Sequence, residues 1–169
     1  MTEQEFWKLI DGSRKKGNGD LDEQSEQLRQ ALSKLTSAEL VAFDHALTRL
    51  QFQAYTWELW GAAYLINGGC SDDGFDYFTN WLIAQGEQVY REALKSPDSL
   101  VTVAQPDDEH EFEELSYLAH ELYEEQNDDD IPESGLRRPG SPAGDDWDFD
   151  DDNEMSQRYP KLWAKFSDA

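Results

Sequence analysis

Residues 36–67 read TSAELVAFDHALTRLQFQAYTWELWGAAYLIN, and this stretch decides the fold class. Leu40, Phe43, Leu47, Leu50, Ala54, Trp57, Gly61 and Tyr64 recur at intervals of three and four residues, the period of one helix face. A half-buried strand would alternate every second residue instead. Thr36 and Glu39 have capping-box spacing, so each side chain is placed to satisfy an amide of the first turn. The run is longer than an ordinary helix, which predicts either one long central helix or a break near residues 51–53. Gly61 on the seam leaves room for another element to approach closely.

The pattern extends in both directions. Downstream, residues 67–86 read NGGCSDDGFDYFTNWLIAQG: Asn67, Gly68 and Gly69 stop one helix, and Ser71 or Asp72 caps the next. Asp72 and Asp73 sit in its positive first turn, Phe75, Phe78, Trp81 and Leu82 form its buried stripe, and Gly86 ends or bends it. Upstream, Thr2 and Glu5 open a short helix with Phe6, Trp7 and Ile10 before Gly12, and SRKKGNG at 13–19 has turn composition. Asp20 and Glu23 begin a second helix with Leu21, Leu28, Leu32 and Leu35 on one stripe and a polar, exposed opposite face.

Beyond Gly86, residues 87–94 form a helix that Ser96, Pro97 and Asp98 close. LVTVA at 100–104 is strand-like but lacks a pairing partner, and is read as extended loop. Residues 107–126 read as an acidic helix with Phe112, Leu115, Leu118, Ala119 and Leu122 on its apolar side. Residues 127–153 have linker composition, although Trp147 and Phe149 are unusual there. The expectation is an all-α, single compact domain of about six helices: a helical core over 1–126, an acidic loop over 127–153, and a docked C-terminal segment over 154–169.

Composition bounds the function. With 169 residues, 12% aromatics and six Trp, the chain can bury one core. Its net charge of −23 is uneven: residues 107–154 hold 20 of the 37 acids and two basics, Arg137 and Arg138, a local charge of −18. That field repels phosphates and anionic lipid, which argues against direct nucleic-acid or membrane binding and favours a basic protein partner or a divalent cation. Cys70 is the single cysteine and no apolar leader opens the chain, both of which fit a reducing cytoplasm, and Glu58 interrupts the richest apolar stretch, from Ala54 to Ile66, which fits a soluble protein.

Four words, EFWKLID, ELWGAAYLINGGCSDDGFDYFTNWLIAQG, SPDSL and YPKLWAKF, occur in this order. They resemble a bacterial family of uncharacterised proteins common in actinomycetes, classed as a domain of unknown function. The resemblance implies that YPKLWAKF belongs to the domain, and it brings no catalytic role with it.

Each constellation has a plainer reading beside it. Asp72, Asp73 and Asp76 have the chemistry for a hard cation but not EF-hand spacing; helix capping explains them better, and no metal or cofactor is assigned. Cys70 at a helix start, with His45, His110 or His120 as base, is outweighed by a small buried hydrophobe, and His110 with Glu114 reads as a solvated pair. The aromatics from Trp57 to Trp81 read as core, with Trp60 the best placed for exposure. The leading reading is an interaction module whose acidic face, around Ser71, Asp72, Asp73, Asp76, Asp128, Asp129 and Asp130, binds a basic protein. Its rivals are an enzyme using the SDDG turn with Glu87, Tyr90 or Glu121 as acid or base, and a nucleic-acid mimic. Nothing in the residues specifies an oligomeric state.

Overall fold

The computed structural model describes residues 1–168. The described residues form nine α-helices and two 3-10 turns, with no strand. The helices are α1 (Glu3–Gly17), α2 (Leu21–Leu32), α3 (Ser37–Gln53), α4 (Trp57–Asn67), α5 (Asp72–Ala84), α6 (Glu87–Lys95), α7 (Leu118–Asn127), α8 (Asp152–Arg158) and α9 (Pro160–Phe166). The all-α class stands, while the count of about six does not, because several expected units are broken or extended.

Both capping boxes form, at Thr2 with Glu5 and at Thr36 with Glu39. α1 nevertheless runs through Gly12 to Gly17, since one glycine inside a helix costs only about 1 kcal/mol and Arg14, Lys15 and Lys16 suit the negative last turn. Asn18 then takes the left-handed conformation (φ 50°). The α1–α2 hairpin closes tightly at Gly17, where an added Cβ would lie 2.8 Å from the Gln24 backbone. Gln24 is buried on the face expected to be exposed, its Nε2 donating to the Ala84 carbonyl at 2.8 Å.

The long seam is broken, directly after residues 51–53. α3 ends at Gln53, and Thr56 accepts the Leu59 amide at 3.1 Å to start α4. The backbone exposed by the break is paired from far along the chain: Trp57 N donates to the Ala143 carbonyl at 3.0 Å and Ala143 N to the Tyr55 carbonyl at 2.9 Å. The seam keeps its period across the break, which is why the residue pattern conceals it.

Phe6, Trp7, Ile10, Leu28, Leu40, Phe43, Leu50, Phe78, Leu82 and Tyr90 join α1, α2, α3, α5 and α6 in one core. Each such side chain contributes about 1.5–3 kcal/mol on burial. Tyr90 satisfies its hydroxyl on the Leu50 carbonyl at 2.7 Å.

Three further expectations are corrected. LVTVA is not extended: Pro97–Thr102 is a 3-10 turn that buries Leu100. The acidic helix begins only at Leu118, with irregular chain and the 3-10 turn Glu113–Ser116 before it. Residues 127–153 do not behave as their composition reads, because Ile131 is buried and Trp147 and Phe149 pack on the core. At the C-terminal end, Tyr159, Leu162 and Phe166 are buried. Asp98 accepts the amides of Lys161 at 3.1 Å and Leu162 at 2.8 Å, capping α9 from a distance.

Candidate functional site

The α4–α5 turn is built as its residues require. Gly68 takes the left-handed cap (φ 66°) that a side chain would strain, and Ser71, not Asp72, caps α5 by accepting the Gly74 amide at 3.1 Å. Asp72 and Asp73 are left exposed in the first turn. Trp60 is buried, against expectation: it stacks on Phe75 with ring centroids 4.9 Å apart and donates to the Cys70 carbonyl at 3.0 Å.

The chain around residue 112 returns to this turn. Phe112 N donates to the Tyr77 carbonyl at 2.9 Å, and the Tyr77 hydroxyl donates to Glu113 at 3.2 Å. Burial, together with Glu111, Asp76 and Asp72, pushes the Cys70 thiol up to about 12, the reverse of what a nucleophile needs. None of the histidines serves it: His45 meets the Pro132 carbonyl and His120 meets Asp44. His110 is buried edge-on against Trp81 and accepts the Gln105 amide, so it is not the solvated partner of Glu114.

Asp76 differs from its neighbours. It is half-buried on the inner side of α5, and burial raises its pKa while Arg138 lowers it. Arg138 approaches in a fork, Nη2 at 3.0 Å from Oδ1 and Nη1 at 3.3 Å from Oδ2, with its guanidinium 4.0 Å from the Tyr55 ring centroid. Beneath it lies a cavity of about 160 Å³ bounded by Gln51, Phe75, Asp76, Thr79, Ser116 and Arg138. Thr79 is buried, and its hydroxyl has no hydrogen-bond partner among the described residues. Thr79, Gln51 and Arg138 carry no site signal in the sequence, because neither a polar residue on a helix nor an arginine in an irregular segment shows what it will meet.

The remaining candidates lie apart from this cavity. Glu87 starts α6, pairs with Arg91 at 3.7 Å and faces a groove of about 1110 Å³ beside Asp11, Arg14 and Lys15. Glu121 pairs with Arg29 at 2.7 Å. Asp128, Asp129 and Asp130 are exposed just past α7, with Asp128 as its left-handed cap (φ 52°). Among the described residues, no group of three His, Cys, Asp or Glu is arranged to hold a metal ion. No described helix is long and apolar enough to cross a membrane.

A family model described as "Protein of unknown function (DUF4240)" matches residues 1–125. The chain belongs to the DUF4240 family. The family match takes in α1 to α6 and most of α7, and with them the SDDG turn, Asp76 and Thr79. YPKLWAKF and Arg138 lie beyond it, although both pack against residues of the DUF4240 region. No curated protein matches the chain. No solved structure matches it either.

Proposed function

We propose that this DUF4240 protein is an interaction module whose acidic face binds a basic protein. One observation carries the reading. Among the described residues, ion pairs reach only Glu121, Glu125 and Glu154 of the 20 acids between residues 107 and 154, which leaves seventeen without a cation. Such an uncompensated surface works against the folded state through self-repulsion, and it speeds encounter with a partner of opposite charge. Asp72 and Asp73 continue the face at the start of α5. A cytoplasmic setting fits the unpaired Cys70.

The enzyme reading has less support. Tyr90 is buried against a carbonyl, with its hydroxyl driven well above the ordinary tyrosine range by desolvation, and Glu87 and Glu121 sit in separate ion pairs. A nucleic-acid mimic is the special case in which the partner's basic surface ordinarily holds phosphates.

The test begins with a pulldown of partners from the source cells, followed by association kinetics on the partner recovered. Association should be fast at about 0.01 M salt and slow as the Debye length contracts from about 30 Å to about 10 Å at 0.1 M. Replacing Asp128, Asp129 and Asp130 together by Asn should lower the on-rate and leave the off-rate nearly unchanged. Binding indifferent to both salt and these substitutions overturns the reading. Competition by duplex DNA for the partner separates the mimic from the general case.

A further inference from the structure

Arg138 is held in its recess by the fork to Asp76 and by the Tyr55 ring, at a place that solvent and a competing cation still reach, since the two side chains of the ion pair are 36% and 49% exposed. The segment carrying it is anchored elsewhere: Ile131 and Pro142 are buried, and Ala143 is paired to the α3–α4 break. Every residue from 135 to 141 is exposed. Arg138 can therefore leave without undoing either anchor.

The recess offers acceptors that Arg138 does not use. Gln51 donates from its amide to Asn80 Oδ1 at 2.7 Å and lines the recess, where its carbonyl oxygen is an acceptor available to a donor. Asp76 offers two carboxylate oxygens, the buried Thr79 hydroxyl is unmatched, and Tyr55 presents a ring face. Arg138 uses the carboxylate and the ring but makes no hydrogen bond to Thr79 or Gln51. A planar cation with several N–H donors complements all four groups, whereas an ammonium lacks the flat face.

We propose that Asp76, Tyr55, Gln51 and Thr79 form a guanidinium-binding site that Arg138 occupies in cis, and that a guanidinium from outside the chain displaces it. The ligand is a free guanidinium compound or an arginine side chain of another protein. The site goes beyond the acidic face: it rests on a recess and an occupant, not on net charge, and the Asp128, Asp129 and Asp130 substitutions do not touch it.

The test uses the full chain, with binding read by calorimetry and by amide chemical shifts of α5. The probes are ethylguanidinium, ethylammonium and the blocked tripeptide Gly-Arg-Gly. R138A should bind ethylguanidinium at least tenfold more tightly than the unaltered chain does. Adding Asp76→Asn to R138A should remove that gain, and Thr79→Val should weaken binding severalfold. A tripeptide that outbinds ethylguanidinium identifies a protein arginine as the ligand, and equal affinities identify a small molecule; either supports the site. R138A that melts cooperatively but binds neither guanidinium probe, or binds ethylammonium equally well, overturns it. Should R138A not fold, Arg138→Met keeps the packing stem and carries the same comparison. Failure here leaves the salt-dependence test of the acidic face intact.

Discussion

A Cβ placed on Gly61 would lie 2.5 Å from the Tyr159 hydroxyl oxygen and 2.7 Å from Trp147. The glycine lets two distant aromatics reach the α4 backbone, where the Tyr159 hydroxyl donates to the Glu58 carbonyl. Gly61→Ala should therefore destabilise the fold by about 1–3 kcal/mol, the usual cost of overpacking. Thermal unfolding of the single variant and of Gly61→Ala with Tyr159→Phe checks this. The second change removes the nearest clashing atom and should recover part of the loss, so purely additive effects would contradict the contact.

Asp98 caps α9 through the amides of Lys161 and Leu162. Asp98→Ala leaves the buried Leu162 amide and the more exposed Lys161 amide without this partner and should cost about 1–2 kcal/mol. Asp98→Asn keeps one acceptor and should cost less. Equal denaturation midpoints for the two variants would show that the hydrogen bonds are unimportant.

Ser71 and Asp72 are adjacent, but only Ser71 accepts the Gly74 amide. Ser71→Ala should lower stability by about 1 kcal/mol, and Asp72→Ala by only a few tenths through the helix dipole. The reverse order in urea unfolding would reassign the cap.

His120 and His110 should respond to pH with opposite signs. The hydrogen bond to Asp44 holds the His120 pKa above its ordinary 6.5, so the folded state binds that proton more tightly than the unfolded state does. The resulting stabilisation is complete below about 6.5 and fades as pH rises through the folded value. Burial holds His110 below 6.5, so its contribution is present above about 6.5 and is lost as pH falls toward the folded value. The melting-temperature deficit of His120→Gln should therefore be largest near pH 5.5 and smallest near pH 8, within about the usual histidine window. The deficit of His110→Gln should shrink on acidification. Parallel profiles for the two variants would exclude both assignments.

Cys70, with its thiol near 12, should react with iodoacetamide at about pH 8 at least about 100-fold more slowly than glutathione, because little thiolate is present. Alkylation at the glutathione rate would reopen the nucleophile reading.

What was legible in the sequence was local. Capping boxes announce themselves through two residues three apart, and Thr2 with Glu5 and Thr36 with Glu39 form as read. The α5 stripe is equally direct: Phe75, Phe78, Trp81 and Leu82 are all buried. The misreadings share a cause, namely a partner far away in the chain. Trp60 is covered because Cys70 and Phe75 fold back over it, and Gln24 is buried because the Ala84 carbonyl needs a donor. α6 does close at Ser96 and Pro97 as read, but that Asp98 beside them caps α9 was not visible. Residues 127–153 have the composition of a linker because few of them face inward, yet Ile131, Pro142, Trp147 and Phe149 are enough to seat the segment. Of the candidate site, Asp76 was legible as one carboxylate in a cluster; what sets it apart is Arg138, 62 residues later.

The dependence of α4 on Trp147, Phe149 and Tyr159 also has a timing consequence. A ribosome makes Gly61 about a hundred residues before Tyr159, a delay of roughly 5–20 s at ordinary elongation rates. Through that interval Trp57 and Tyr64 lack the Phe149 ring that they meet in the finished fold. The nascent chain thus carries an aromatic face with no cover of its own, and a message cut short between these codons yields a product that chaperones and proteases would treat as unfinished.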